Sequence, residues 1–154
     1  MADKKINVIY VDDEANNLIS FKATFRIKYN VLTAMSAEEA MKILATKPVE
    51  IIITDQRMPN MTGVEFLEQI LQTYPDPMRI LLTGYTDMTA VIDAVNKGKI
   101  FHYLTKPWNE EELDKTIQRA YEVYRKNLEI KELNKKLETS NDQLEFLVRQ
   151  KLLS

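Results

Sequence analysis

The chain has 154 residues, 45% hydrophobic and 29% charged, with a formal net charge of -2; that suits one domain with a real core plus an extension, and supplies no global basic field for nucleic acid. The absence of cysteine excludes a disulfide framework, a thiolate metal site and a cysteine nucleophile, and fits a reducing cytoplasm. The N-terminus turns acidic too soon for a secretory signal, and no apolar run approaches the ~18 residues of a membrane span, so we expect a soluble cytoplasmic protein with no membrane contact.

In chain order, "INVIYV" (6–11) reads as a buried strand and stops on three acids, Asp12, Asp13 and Glu14. Leu18, Phe21 and Phe25 form the apolar stripe of a first helix. "NVLTA" (30–34) is a second strand. Ser36 and Glu39 stand at capping-box spacing ahead of Ala40, Ile43 and Leu44. "VEIIITD" (49–55) is a third strand, followed by "GVEFLEQILQTY", with Val64, Leu67, Ile70 and Leu71 on one face. "MRILLT" (78–83) precedes a helix carrying Met88, Val91, Ile92 and Val95 and capped at Gly98. "IFHYLT" (100–105) is the fifth strand, and Asn109 with Glu112 opens the last helix. Near-continuous apolar strands alternating with amphipathic helices predict a parallel sheet covered on both faces. The economical fold is a doubly wound α/β domain, flavodoxin-like, with strand order 2-1-3-4-5.

After Pro107 there is neither Gly nor Pro, so the last helix is expected to run on past the domain. Leu113, Ile117, Ala120 and Tyr124 repeat at helical spacing. A second series, Ile130, Leu133, Leu137, Ser140, Leu144 and Leu147, has the three–four spacing of a coiled-coil seam. The two registers do not join cleanly, which predicts a stammer or a break around Asn127. The expected division is a domain over 1–125 and a helical extension over 126–154, through which two copies dimerise. A tail still coil-like at "RQKLLS" suggests a longer protein. The alternatives are a helix packed along its own domain or a frayed tail.

In such a sheet, ligands bind at the carboxyl ends of the strands beside the topological switch point. Strand one ends on Asp12 and Asp13, strand three on Asp55, strand four on Thr83 and strand five on Lys106. Converging carboxylates call for a cation, because like charges ~4 Å apart repel by several kcal/mol at intermediate dielectric. Oxygen donors without His or Cys favour a hard ion, Mg²⁺ in particular. Mg²⁺ in turn points to phosphate, and an aspartate can itself attack phosphorus. Asp55, central among the four ends, is the candidate nucleophile. Each strand end taken alone is more often an ordinary turn; the weight lies in their agreement.

The stretches "VDDE" (11–14), "TDQRMPNMTG" (54–63), "LLTGYTD" (81–87) and "YLTKPW" (103–108) resemble the receiver domain of two-component response regulators over about residues 4–125. The resemblance implies that Asp55 is the phosphoacceptor, with Asp13 holding Mg²⁺ directly, Asp12 through water and Arg57 through its backbone carbonyl. It implies that Thr83 binds the phosphoryl group, that Lys106 pairs with it ahead of a cis Lys106–Pro107 bond, and that Tyr103 is the switch aromatic. The implied donor is a sensor histidine kinase or a small phosphodonor, and the implied output is a change of the α4–β5–α5 surface passed to the C-terminal coil. Such a domain is a timed switch rather than a turnover enzyme. Gly84 stands where many receivers have alanine, leaving the Thr83 loop freer. Arg57 and Tyr85 occupy positions that tune hydrolysis, and shielding by both predicts slower hydrolysis; the alternative is that both point to solvent. The region 81–109 looks more like receivers attached to cyclic-dinucleotide phosphodiesterases or similar signalling outputs than like those attached to DNA-binding domains, and nothing in the tail suggests direct nucleic-acid contact. His102, inside strand five, reads as structural. Competing readings are a non-switching dimerisation scaffold, an aspartyl phosphatase (opposed by Arg57, where a second Asp is usual) and a flavin or nucleotide carrier (opposed by the lack of a Gly-rich loop).

Overall fold

The structure, a computed structural model, describes residues 4–84 and 88–153. Five strands alternate with five helices: β1 (Asn7–Val11), α1 (Ala15–Phe25), β2 (Asn30–Ala34), α2 (Ala37–Thr46), β3 (Ile51–Asp55), α3 (Gly63–Thr73), β4 (Met78–Thr83), α4 (Met88–Asn96), β5 (His102–Thr105) and α5 (Glu110–Leu153). The sheet is wholly parallel in the order β2-β1-β3-β4-β5. This is the doubly wound arrangement expected from the alternation of strand and helix signals.

Two cores explain why the strands read as unbroken apolar runs. On one face, Val8, Tyr10, Ile51, Ile53, Ile80 and Leu82 meet Phe21 and Phe25 of α1 and Leu113 and Ile117 of α5. On the other, Ile9, Val11, Ile52 and Leu81 meet Ala40 and Leu44 of α2, Phe66, Leu67 and Ile70 of α3, and Val91 of α4. Successive residues of each inner strand thus feed opposite layers, and both layers are apolar. Each fully buried large side chain contributes about 1.5–3 kcal/mol.

Local signals account for the helix ends. Ser36 accepts from the Glu39 amide at 3.1 Å, and Asn109 accepts from the Glu112 amide at 3.0 Å. Thr62 and Glu65 form a full capping box at α3, one the sequence pattern had offered and our reading passed over. Gly98 closes α4 with φ +74, and Lys99 N donates to the Ala94 carbonyl at 2.9 Å. Beneath β4 the guanidinium of Arg79, only 9% exposed, donates to the carbonyls of Pro77 and Lys99 at 2.8 Å and of Pro75 and Gly98 at 3.5 Å. Its pKa is lowered by burial.

Two expectations need correction. Ile92 was placed on the buried face of α4 but is 45% exposed; Ala94, three residues after Val91, takes the inward position. Of the stammer or break expected near Asn127, the break is absent: α5 is one helix of 44 residues. The apolar register changes where the helix leaves the domain: Leu113, Ile117 and Ala120 are buried, whereas Ile130, Leu133, Leu137, Leu144 and Leu147 are exposed. Past Tyr124, Lys131 of α5 makes an ion pair with Asp76 in the α3–β4 loop. Among the described residues, no helix is long and apolar enough to cross a membrane.

Candidate functional site

Register brings the strand ends level. Val11 pairs with Thr54, Asp55 with Leu82, and Thr83 with Thr105. The next residue of β1, Asp12, therefore stands beside Asp55, and the next residue of β5, Lys106, stands beside Thr83, whose carbonyl accepts from the Lys106 amide at 2.9 Å. The four strand ends singled out in the sequence converge in one place.

Carboxylate oxygens of Asp12, Asp13 and Asp55 lie within 4.8 Å of one another. Asp12 is fully buried and Asp55 nearly so, whereas Asp13 is more open. Lys106 Nζ reaches Asp55 Oδ1 at 2.7 Å and Asp12 Oδ2 at 3.5 Å. Burial pushes the Asp55 pKa up; Lys106 pulls it back and the neighbouring Asp12 adds to the rise. For Lys106, burial acts to lower the pKa, but its bonds and charge contacts to Asp55 and Asp12 outweigh it, so the ammonium is held charged. A second cation would relieve the remaining excess of negative charge.

The donor set fits a hard divalent ion: three carboxylates converge, with neither His nor Cys among the clustered groups. Asp12 is already engaged, accepting from Tyr10 Oη (2.7 Å), the Glu14 amide (3.0 Å) and Asn17 Nδ2 (3.1 Å). Tyr10 and Asn17 were missed as site residues. Tyr10 reads as one more strand residue, and its phenol, pushed up by burial and by the Asp12 carboxylate, stays a donor. Asn17 carried a legible signal, an amide one helical turn past the acids.

Around the pocket, Thr83 is buried, and its hydroxyl donates to the Gly84 carbonyl at 3.0 Å. Tyr103 is half-buried against the α2–α3–α4 core. Arg57 is exposed in the loop after β3. Tyr85 lies outside the described residues, so the paired shielding expected of it and Arg57 has no structural account. The Lys106–Pro107 bond is cis, as the family pattern implied. Behind Asp55, Gly63 opens α3: a Cβ there would stand 2.4 Å from the Asp55 carbonyl oxygen and 2.7 Å from Leu81 Cδ1. The Gln56 side chain accepts from the Val64 amide at 2.9 Å, tying the acceptor loop to the same helix start. An open cleft of about 510 Å³ beside Lys106 is lined by Tyr10, Asn17, Ser20, Pro107 and Trp108.

Residues 8–118 match the sequence model of the response regulator receiver domain. The hydrogenase transcriptional regulatory protein HoxA of Cupriavidus necator is 38% identical over 154 residues, all of this chain and 32% of its own length. The chain therefore spans about a third of that relative, and 24% of HoxA from Bradyrhizobium diazoefficiens. Among solved structures, a response regulator receiver domain protein from Clostridium thermocellum is 32% identical with TM-score 0.72, over 80% of this chain and 98% of that one. The signal receiver domain of an HD domain-containing protein from Pseudomonas fluorescens is 31% identical with TM-score 0.77, over 84% and 96%. Receivers of transcriptional regulators thus stand beside that of an HD domain protein, and the relatives do not bear out a preference for the latter kind. A fold, a pattern of strand ends and a match over 8–118 agree: this chain belongs to the response regulator receiver domain family.

Proposed function

We propose that the domain is a phosphorylation switch whose acceptor is Asp55. The observation that carries the reading is the convergence of Asp12, Asp13, Asp55 and Lys106 at one sheet edge, with Lys106 2.7 Å from the acceptor carboxylate. A carboxylate oxygen of Asp55 attacks the phosphorus of a phosphohistidine on a sensor histidine kinase, or of a small acyl phosphate. The bond from phosphorus to the donor nitrogen or oxygen breaks, its electron pair stays with the donor, and an aspartyl phosphate remains. Lys106, held as an ammonium, then pairs with a phosphoryl oxygen. The Thr83 hydroxyl exchanges its bond to the Gly84 carbonyl for one to the phosphoryl group. Tyr103, half-buried beside β4, follows that movement as the switch aromatic.

Mg²⁺ would neutralise the phosphoryl oxygens when bound. Asp13, Asp55 and the backbone carbonyl of Arg57 would hold it, with Asp12 acting through water; the prior engagement of Asp12 by three donors favours that indirect role. The receiver occupies about residues 1–125, and residues 126–154 form a helical extension that pairs two copies and carries the change away from α4, β5 and α5. That extension is either the output or a linker to one. We place the protein in the cytoplasm, without direct nucleic-acid contact by this segment, and as a switch rather than a turnover enzyme.

The test is intact mass after incubation with a small acyl phosphate and Mg²⁺, alongside Asp55→Asn. We expect one added phosphoryl group that depends on Mg²⁺ and is absent from the variant. No addition from either a small donor or a phosphorylated kinase, with the fold intact, would hand the role to a non-switching scaffold.

A further inference from the structure

α5 carries two apolar faces, and they point in nearly opposite directions. In its first half Leu113, Ile117 and Ala120 are fully buried against the domain. The opposite side of that half carries Lys115, Arg119, Glu122 and Lys126, all exposed. At about 100° per residue, the later series from Ile130 to Leu147 lies roughly 150° from the buried face. It therefore continues the line of Lys115, Arg119, Glu122 and Lys126, turning from charged to apolar at Ile130. Lys131, whose ion pair with Asp76 marks the domain side, falls on the far side of the helix from this stripe. The domain cannot cover the stripe, and Ile130, Leu133, Leu137, Leu144 and Leu147 are 54–63% exposed.

We propose that a second copy of this chain covers this stripe in a parallel pair, with the two receiver bodies on the outside. This rests on the dimer reading above and adds its orientation and its upstream limit. Self-pairing follows from the spacing: Ile130, Leu137 and Leu144 take a positions and Leu133, Ser140 and Leu147 take d positions of one heptad frame. Parallel pairing follows from Ser140. In a parallel pair the two Ser140 hydroxyls share one layer and can bond each other. In the antiparallel pair that matches the same layers, each Ser140 faces Leu137 of the partner copy and both hydroxyls are buried among leucines. A single polar layer also sets the register. Upstream, the same frame puts Lys126 and Arg119 at d positions. In a parallel pair each would meet its own copy, so the seam closes at Ile130 and the pair is short. About two and a half heptads give a weak, concentration-dependent dimer.

Because the chain has no cysteine, single substitutions on the full chain read out orientation cleanly. Sedimentation across a range of concentrations should show a reversible dimer that Leu137→Asp abolishes and Lys126→Leu tightens by about tenfold or more, through one added apolar layer. Under mild oxidation, Ile130→Cys and Leu147→Cys should each form a disulfide-linked dimer on their own. Cross-linking only in a mixture of those two variants would mean an antiparallel pair, overturning the orientation while leaving the dimer. A chain that stays monomeric throughout would instead overturn the dimer reading itself. Far-UV circular dichroism of each variant confirms that the exposed substitutions leave the domain folded.

Discussion

At the scale of single residues, two glycines near the acceptor make opposite demands. A methyl at Gly63 would press on the Asp55 carbonyl at 2.4 Å, a backbone atom that cannot rotate aside. Gly63→Ala should cost about 1–3 kcal/mol and slow phosphoryl acceptance by displacing Asp55; urea unfolding and phosphorylation time courses check the two effects. Among the described residues, nothing stands within 4 Å of the missing Cβ of Gly84. Gly84→Ala should be neutral, or stabilising by up to about 1 kcal/mol through a less flexible unfolded chain. Loss of stability there would show that the open space is needed. His102 offers a pH signature. Burial first, and then Arg119 of α5, lower its pKa below the ordinary 6.5, with Glu112 opposing. The unfolded chain therefore takes up the proton first as pH falls. This contribution to stability is fully present above about pH 6.5 and shrinks below it, towards the lower folded value. The urea midpoint should fall less between pH 7.5 and 5.5 in His102→Gln than in the parent chain; an unchanged slope would remove His102 from the account.

At the scale of elements, legibility followed how local each signal was. Strand runs, the Ser36 and Asn109 caps and the Gly98 stop depend on residues a few places apart, and each has its physical counterpart in the fold. Ile92 was misassigned because Val91, Ile92 and Val95 are all apolar, and periodicity cannot decide which of two adjacent branched residues turns inward. The layer against α3 and β5 decides it in favour of Val91 and Ala94. The acids, Thr83 and Lys106 could be placed because strand ends in a parallel sheet are level by construction. Tyr10 could not, because its role depends on a phenol reaching around a strand end to Asp12, which no spacing encodes. α5 shows the same contrast, since its first half is core. Ile117→Ala should cost about 2–5 kcal/mol, measured by chemical denaturation.

At the scale of the whole molecule, the described chain divides by contact rather than by any interruption of helix. From residue 132 to 153 every α5 residue is exposed. Deleting the chain from residue 132 onward should shift the receiver's Tm by less than about 4 °C, measured where the parent is monomeric. A larger drop would reveal that the extension supports the domain.

Arg79 gives the domain a mechanical polarity. Its guanidinium gathers carbonyls from the loop before β4 and from the end of α4, and Lys99 adds an ion pair to Glu68 of α3 at 3.6 Å. The base of the sheet is thereby bolted, and α4 is anchored where it ends. At the start of α4 no comparable tie is found among the described residues. If Thr83 moves towards a phosphoryl group as proposed, α4 would answer as a lever held at its Gly98 end.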